Sequence, residues 1–304
     1  MVDITHKSNT LRQALAEAKV VVGSEETIAA IKNGTVPKGN VFEMSRAAGL
    51  LGIKKTPELL PDCHPLPIEH AKIDYSIEGL TITISVFIKT IYKTGVEVEA
   101  MHGASIVALN IYDMLKPIDK QVHIGEIKLV EKRGGKSTYK NKYLDRPDLK
   151  AHVIVCSDTI SAGQKEDKAG KAIIAALEKS NINIAEYAII PDEKTDIEAA
   201  VEKAKSDHSN LLIFTGGTGL SNRDITPDTL RPLLDKEIPG MEEAIRSYGQ
   251  NRMPYAMLSR SVAGTIGGML VLALPGSTNG ARESMDAIFP EVLHVFGVLK
   301  GERH

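Results

Sequence analysis

The residues best suited to chemistry lie in Thr215–Asp228, TGGTGLSNRDITPD, entered from the apolar run Leu211–Phe214. Gly216, Gly217, Thr218 and Gly219 form a turn whose backbone N–H groups can approach a phosphate, and the Thr226-Pro227 start of a helix favours anions. Asp224 stands within the same loop. A carboxylate repels a phosphate unless a cation separates them, and Mg²⁺ commonly binds through one or two carboxylates plus substrate phosphates. The segment therefore reads as a metal-nucleotide or phosphoester site. No Walker lysine follows the glycines, so it is not a P-loop.

Other polar residues follow apolar runs in the same half: Ser157-Asp158, Pro191-Asp192 and Pro275-Gly276-Ser277. Asp192 and Asp224 could hold one Mg²⁺ between them, or each could simply cap a turn or helix. The glycine turn beside Asp224 tips the balance toward a ligand. In the first half Glu97, Val98 and Glu99 open a helical pattern, where paired acids also suit the helix dipole. Cys63-His64 sits in a proline-bounded loop, with too few donors for zinc. Lys116 follows Asp113 by three residues, an ordinary helix pair. Lys38 and Lys136 lie in glycine-containing loops, where a solvated side chain is the plain reading.

Composition narrows the function classes. At 304 residues, two domains are expected. A net charge of −2 and the absence of Trp argue against nucleic acid as the main partner. The first 150 residues hold 21 basic against 18 acidic side chains and the remainder 16 against 21, which fits an anionic ligand in the first half or, equally, a plain difference of surface decoration. Two cysteines make no disulfide framework, no apolar run is long enough to span a bilayer, and the N-terminus carries no apolar signal region. The expectation is a cytoplasmic protein with neither membrane nor nucleic-acid partners.

These side chains need elements to hold them. Polar Lys140–Lys150, with Pro147, reads as the boundary, giving domains 1–140 and 150–304 with a linker at 141–149. In the first domain the period of two at Ala14, Ala16, Ala18, Val20 and Val22 predicts a strand despite the helical propensity of Ala. Helices are predicted over Ser24–Asn33, Val41–Ile53 and Ala104–Leu115, a hairpin over Ala71–Tyr92, and a strand over Val122–Val130. In the second, apolar strands (Ala151–Cys156, Ile184–Ile190, Leu211–Phe214, Met269–Leu274) alternate with helices over Glu166–Lys179 and Thr195–Lys205. That alternation predicts a mostly parallel sheet in three α/β layers, with ligands beyond the carboxyl ends of the strands.

The full string TGGTGLSNRDITPD, with IIPDE, VCSDTISAG and LPGS, resembles the MogA/MoaB family of molybdopterin adenylyltransferases from about Leu149 onward. The resemblance implies that Asp192 and Asp224 are the functional acids and that Gly216–Gly219 line the site for nucleotide and pterin phosphate. Ser157, Asp158, Pro275, Gly276 and Ser277 add the remaining strand-end contacts. The implied reaction joins AMP from MgATP to molybdopterin, with Mg²⁺ as the one cofactor and no tightly bound organic group. Thr278-Asn279 replace the Pro-Lys pair common after PGS.

In the first half KGNVF, LLPDCHPL, KTGVEVEAM, ALNIYDMLK and GGKS, in this order, resemble MoaC, the cyclic pyranopterin monophosphate synthases. The resemblance implies a ferredoxin-like α+β fold and a homo-oligomer, with a dimer-based hexamer compatible with both families. The implied substrate is 3′,8-cyclo-7,8-dihydro-GTP, rearranged with loss of pyrophosphate. Lys38 and Lys116 would be the acid–base groups, a role open to lysines if neighbouring cations or burial lower their pKa. Asp113 would position Lys116 or a substrate nitrogen, Cys63, His64, Glu97, Val98 and Glu99 would contact substrate, and Lys136 would hold phosphate. Asn40 stands where the family commonly has Asp, and Asp62 where it has an apolar residue. The rival readings are one active domain joined to a scaffold, or a nucleotide sensor.

Overall fold

The computed structural model describes residues 1–135 and 145–301. The chain divides into two compact units, Met1–Thr138 and Tyr139–His304. The expected linker at 141–149 lies partly, and Lys136 entirely, outside the described residues.

In the first unit β1 (Thr10–Val21), β2 (His70–Glu78), β3 (Thr81–Tyr92) and β4 (His123–Arg133) form one antiparallel sheet in the order β2-β3-β1-β4. Helices α1 (Glu25–Asn33), α2 (Val41–Lys54), α3 (Thr56–Leu59) and α4 (Glu97–Leu115) complete a ferredoxin-like arrangement. The period of two in β1 holds because every second side chain must face the helices: Ala14, Ala16, Ala18 and Val20 are all 1 % exposed or less. Small residues there match small residues on α4, where Ala100, Gly103, Ala104 and Ala108 are buried, so helix and sheet pack closely. The α2–α4 contact is as tight. A Cβ on Gly49 would lie 2.4 Å from Val107 Cγ2 and 2.9 Å from Ile73 Cδ1. α4 starts at Glu97, seven residues earlier than its apolar pattern alone predicts, with Glu97 and Glu99 in its first turn.

In the second unit β5 (Lys150–Cys156), β6 (Asn183–Ile190), β7 (Leu211–Thr215), β8 (Lys236–Glu237), β9 (Val262–Ile266) and β10 (Met269–Leu274) form one sheet in the order β6-β5-β7-β10-β9-β8. β6, β5, β7 and β10 pair in parallel, and β9 alone runs against them, pairing antiparallel with both β10 and β8, a mostly parallel sheet. β5, β7, β9 and β10 are buried along nearly their whole length, so they carry continuous apolar runs. One core lies on each face, one around Val153, Ile213 and Leu272 and the other around Ile154, Phe214 and Val271.

The unit also holds α5 (Asp158–Ser161), α6 (Ala169–Glu178), α7 (Lys194–Ser206), α8 (Thr226–Leu230), α9 (Pro239–Gln250), α10 (Thr278–Ile288) and α11 (Val295–Leu299). α6 begins at Ala169, not at Glu166, because Asp167 accepts from the N–H groups of Ala169, Gly170 and Lys171 at 2.9, 3.0 and 3.2 Å. β9 escaped the sequence reading because Gly267-Gly268 fold it onto β10 through a two-residue turn with φ of 56° and 86°. Among the described residues no helix is long and apolar enough to cross a membrane.

The α2–α4 contact yields a signed prediction. At an open helical site Gly→Ala stabilises by about 1 kcal/mol. Gly49→Ala should instead destabilise by about 1–3 kcal/mol, because the branched, buried Val107 cannot yield. Urea denaturation followed by circular dichroism reads this out, and an unchanged or raised midpoint would contradict it.

Candidate functional sites

The acid–base candidates of the first unit meet at the C-terminal end of α4. Lys38 Nζ lies 2.5 Å from Asp113 Oδ2 and donates to the Asp113 carbonyl at 2.9 Å, and Lys116 Nζ lies 2.7 Å from Asp113 Oδ1. One carboxylate thus holds two lysines that arrive from different segments. Lys116 first and Lys38 second pull the Asp113 carboxyl down to about 2. Asp113 in turn raises Lys116, so the lowering that acid–base work asks of a lysine is absent while Asp113 holds it. All three side chains are about half exposed, so this is an open face.

Of the other substrate-contact candidates, Glu97, Val98 and Glu99 form the opposite end of α4. Glu99 is 2 % exposed, and burial, then Glu97, raises its carboxyl. Burial and the Glu99 charge raise the Cys63 thiol, which places these two groups within electrostatic reach. His64 Nε2 lies 2.8 Å from the Val2 carbonyl, and Val98 is exposed. Glu97 lines a cleft of about 210 Å³ with Arg12, Lys132 and Gly134, and Lys132 Nζ lies 3.3 Å from Glu97 Oε1. Arg12 and Lys132 were missed in the sequence. Lys132 stands four residues before Lys136 in EKRGGKS, whereas Arg12 lies inside a strand pattern that carries no site signal. Glu99 and Asp113 are 14 positions apart on one helix, about 21 Å along its axis. One chain therefore presents two separate half-clusters.

In the second unit the parallel strands deliver their loops to one edge. Asp158, after β5, and Asp192, after β6, bind each other's backbones: Asp158 N–H donates to Asp192 Oδ2 at 3.2 Å and Asp192 N–H to Asp158 Oδ1 at 3.1 Å. Ser157 caps α5, accepting from Ile160 N–H. Gly216 and Gly217, after β7, have φ of 103° and 60°. A Cβ on Gly216 would lie 2.1 Å from the Cys156 carbonyl oxygen, and one on Gly217 would lie 2.3 Å from Thr226 Oγ1 and 2.7 Å from Asp192 Oδ1. Only glycine fits both the backbone and the space. Thr215 Oγ1 donates to the Pro275 carbonyl at 2.8 Å and Gly276 packs on Gly216, tying the PGS turn to the glycine loop. Ser277 caps α10 through Gly280 N–H at 3.1 Å.

Two arginines that the sequence reading passed over organise this edge. Arg223 grips Asp158 through Nε and a terminal nitrogen at 3.0 Å each and reaches Glu193 at 2.9 Å. Arg260 donates to the carbonyls of Gly219, at 2.8 Å, and Asp224, and pairs with Asp228. Asp224 Oδ2 accepts from Ser221 N–H at 2.9 Å. Arg223 lies inside the quoted motif, but Arg260 is 36 residues beyond Asp224 with no local signal.

Asp192 is the group left unsettled. Its Oδ1 and the neighbouring Thr226 Oγ1 are buried and unpartnered. Burial raises its carboxyl, with Asp158 and Asp224 adding to the rise. A buried acid pushed toward protonation by two other acids fits a cation beside the glycine loop. Around the Ser277 end of this edge opens a cleft of about 650 Å³, lined by Arg246, Arg252, Tyr255, Ser277 and Asn279, a size suited to a small organic ligand.

Comparison with known proteins agrees in both halves. Residues 1–135 match the MoaC family, and residues 152–294 match the family described as "Probable molybdopterin binding domain". A cyclic pyranopterin monophosphate synthase of Pelobacter propionicus is 48 % identical over 139 residues, 45 % of this chain and 86 % of that protein. The crystal structure of the molybdopterin biosynthesis enzyme MoaB of Thermus thermophilus is 38 % identical and covers 50 % of this chain and 97 % of its own, with a TM-score of 0.48. The molybdenum cofactor biosynthesis bifunctional protein of Chlorobaculum tepidum is 37 % identical over 304 residues, all of this chain and 96 % of that one. With both halves matched in one full-length relative, the chain belongs to the family of bifunctional molybdenum cofactor biosynthesis proteins, a MoaC domain followed by a MogA/MoaB-like domain.

Proposed function

We propose that both domains are catalytic. The first converts 3′,8-cyclo-7,8-dihydro-GTP to cyclic pyranopterin monophosphate and pyrophosphate, and the second transfers AMP from MgATP to molybdopterin, releasing pyrophosphate. The observation that carries the first activity is the Lys38–Asp113–Lys116 cluster. Asp113 stays anionic and keeps Lys116 protonated in the free protein, a charge that suits holding an anionic substrate; for Lys116 to act as general acid, substrate must displace Asp113 from it and bring its pKa down. Glu97 and Glu99 bind the ring nitrogens, with Cys63 and His64 alongside. Arg12 and Lys132, beside Glu97, provide charge for the triphosphate.

Proton transfer requires hydrogen-bond reach, so groups about 21 Å apart on one helix cannot serve one ring. The complete site is therefore shared: one copy supplies the Lys38–Asp113–Lys116 end of α4 and a second copy the Glu97–Glu99 end. A two-fold pair of antiparallel α4 helices makes two such sites from four half-clusters. This makes the protein a homo-oligomer, and a hexamer is compatible with it.

For the second activity the carrying observation is the unpartnered Asp192 Oδ1 facing the glycine loop. Asp192 and Asp224 would hold Mg²⁺, which offsets phosphate charge when bound. The Gly216–Gly219 backbone cradles the phosphates, Arg223 holds Asp158 in place, and the cleft at Ser277 takes the pterin. Glycine N–H groups and a fixed carboxylate provide positioning, which phosphoryl-group chemistry chiefly needs.

Two variants separate the activities. Lys116→Ala should lower pyrophosphate release from the cyclised substrate by about 10²–10⁴-fold, the range for losing a general acid, and leave AMP transfer unchanged. Asp224→Ala should lower AMP transfer by about 10²-fold or more, as for removing one preorganised electrostatic group, and leave the synthase unchanged. If a non-hydrolysable ATP analogue binds by calorimetry while wild-type protein transfers no AMP, the second domain is a binding module. If Lys116→Ala keeps full synthase rate, the acid is elsewhere.

A further inference from the structure

At the opposite edge of the second sheet lies a cluster the two reactions do not use. His152, near the start of β5, is 0 % exposed. Its Cα pairs in register with Glu186 of β6, and Asp207 caps the C-terminus of α7 beside it. His152 Nδ1 lies 3.3 Å from Glu186 Oε2 and Nε2 lies 3.3 Å from Asp207 Oδ2. Neither ring nitrogen makes a hydrogen bond, and Glu186 Oε2 is also unpartnered. Lys203 occupies the other Glu186 oxygen. A buried imidazole with two unsatisfied nitrogens is costly, and such a group calls for an explanation.

We propose that His152, Glu186 and Asp207 form a binding site for a divalent transition ion of the zinc type. One donor atom from each residue lies within 4.8 Å of the others, and because Glu186 and Asp207 flank different ring nitrogens, one ion gathers all three only when the imidazole or the more exposed Asp207 turns. One imidazole nitrogen and two carboxylate oxygens, with water in the fourth position, is a donor set that zinc accepts. The fixed charges facing the ring are Glu186, Asp207 and Lys203, which leaves one negative charge for a cation to offset. Burial outweighs the two carboxylates and lowers His152, so the lone pair a metal needs is available. Glu186 is held by Lys203 before any ion arrives, while half-exposed Asp207 leaves the site open to solvent. The ion would tie β5, β6 and the end of α7 together, four residues, about 13 Å along β5, before Cys156 and the reacting edge. Its role is structural.

The test is calorimetric titration of chelator-stripped full-length protein with Zn²⁺ alone. A Cys63→Ser, His64→Ala background removes the other soft-donor pair. One ion per chain is expected, with affinity falling at least about 10-fold in Asp207→Asn. Asp207 is half exposed, so this variant keeps its fold. His152→Gln should abolish binding, with circular dichroism reporting whether it folds. Absence of saturable Zn²⁺ binding, or binding of equal affinity in Asp207→Asn, overturns the proposal.

Discussion

The rigidity of one helix governs the first active site. α4 carries acids at its N-terminal end and an acid–lysine pair at its C-terminal end, and an unbroken helix cannot fold them together. It is also the helix that can least easily move. Ala100, Ala104 and Ala108 are buried along it, Gly103 packs against Ile53 of α2 and Val86 of β3, and Gly49 seats α2 against Val107. Both half-clusters are therefore fixed to a framework packed around small side chains. The same packing that stabilises the unit separates its functional groups, and that separation is why the proposed synthase site draws on a second copy of the helix.

The second domain meets the same need for positioning differently. Its parallel strands end at one edge, so residues distant in sequence arrive together without any long element between them. Reciprocal backbone bonds between Asp158 and Asp192, and the two arginines that brace the loops, fix the acids where the glycines leave space. The energetic tension sits on Asp192, buried among like charges with an unpartnered oxygen. Such a group is costly for folding and useful for binding a cation and phosphates.

Local chemistry was legible in the sequence where period and turn residues spoke plainly. The alternation in β1 and the glycine loop after β7 both stand where the pattern puts them. Long-range groups were not legible. Arg260 reaches the loop only because β9 folds back on β10, and β9 itself was hidden by its Gly-Gly turn. The pairing of Lys38 with Asp113 spans 75 positions and has no local signature. The direction of the Lys116 shift was not legible either, because it depends on Asp113 being its nearest charge. His152 reads as one more residue of a buried strand until the register sets it opposite Glu186.

The central physical claim is the division of the synthase site between copies. It is tested most directly by co-expressing Lys116→Ala chains with Glu99→Gln chains, each inactive alone, and measuring pyrophosphate release from the cyclised substrate. Random two-fold pairing leaves one intact composite site in each mixed pair, so the mixture should recover about one quarter of wild-type activity. A mixture no more active than its two components would contradict the shared site.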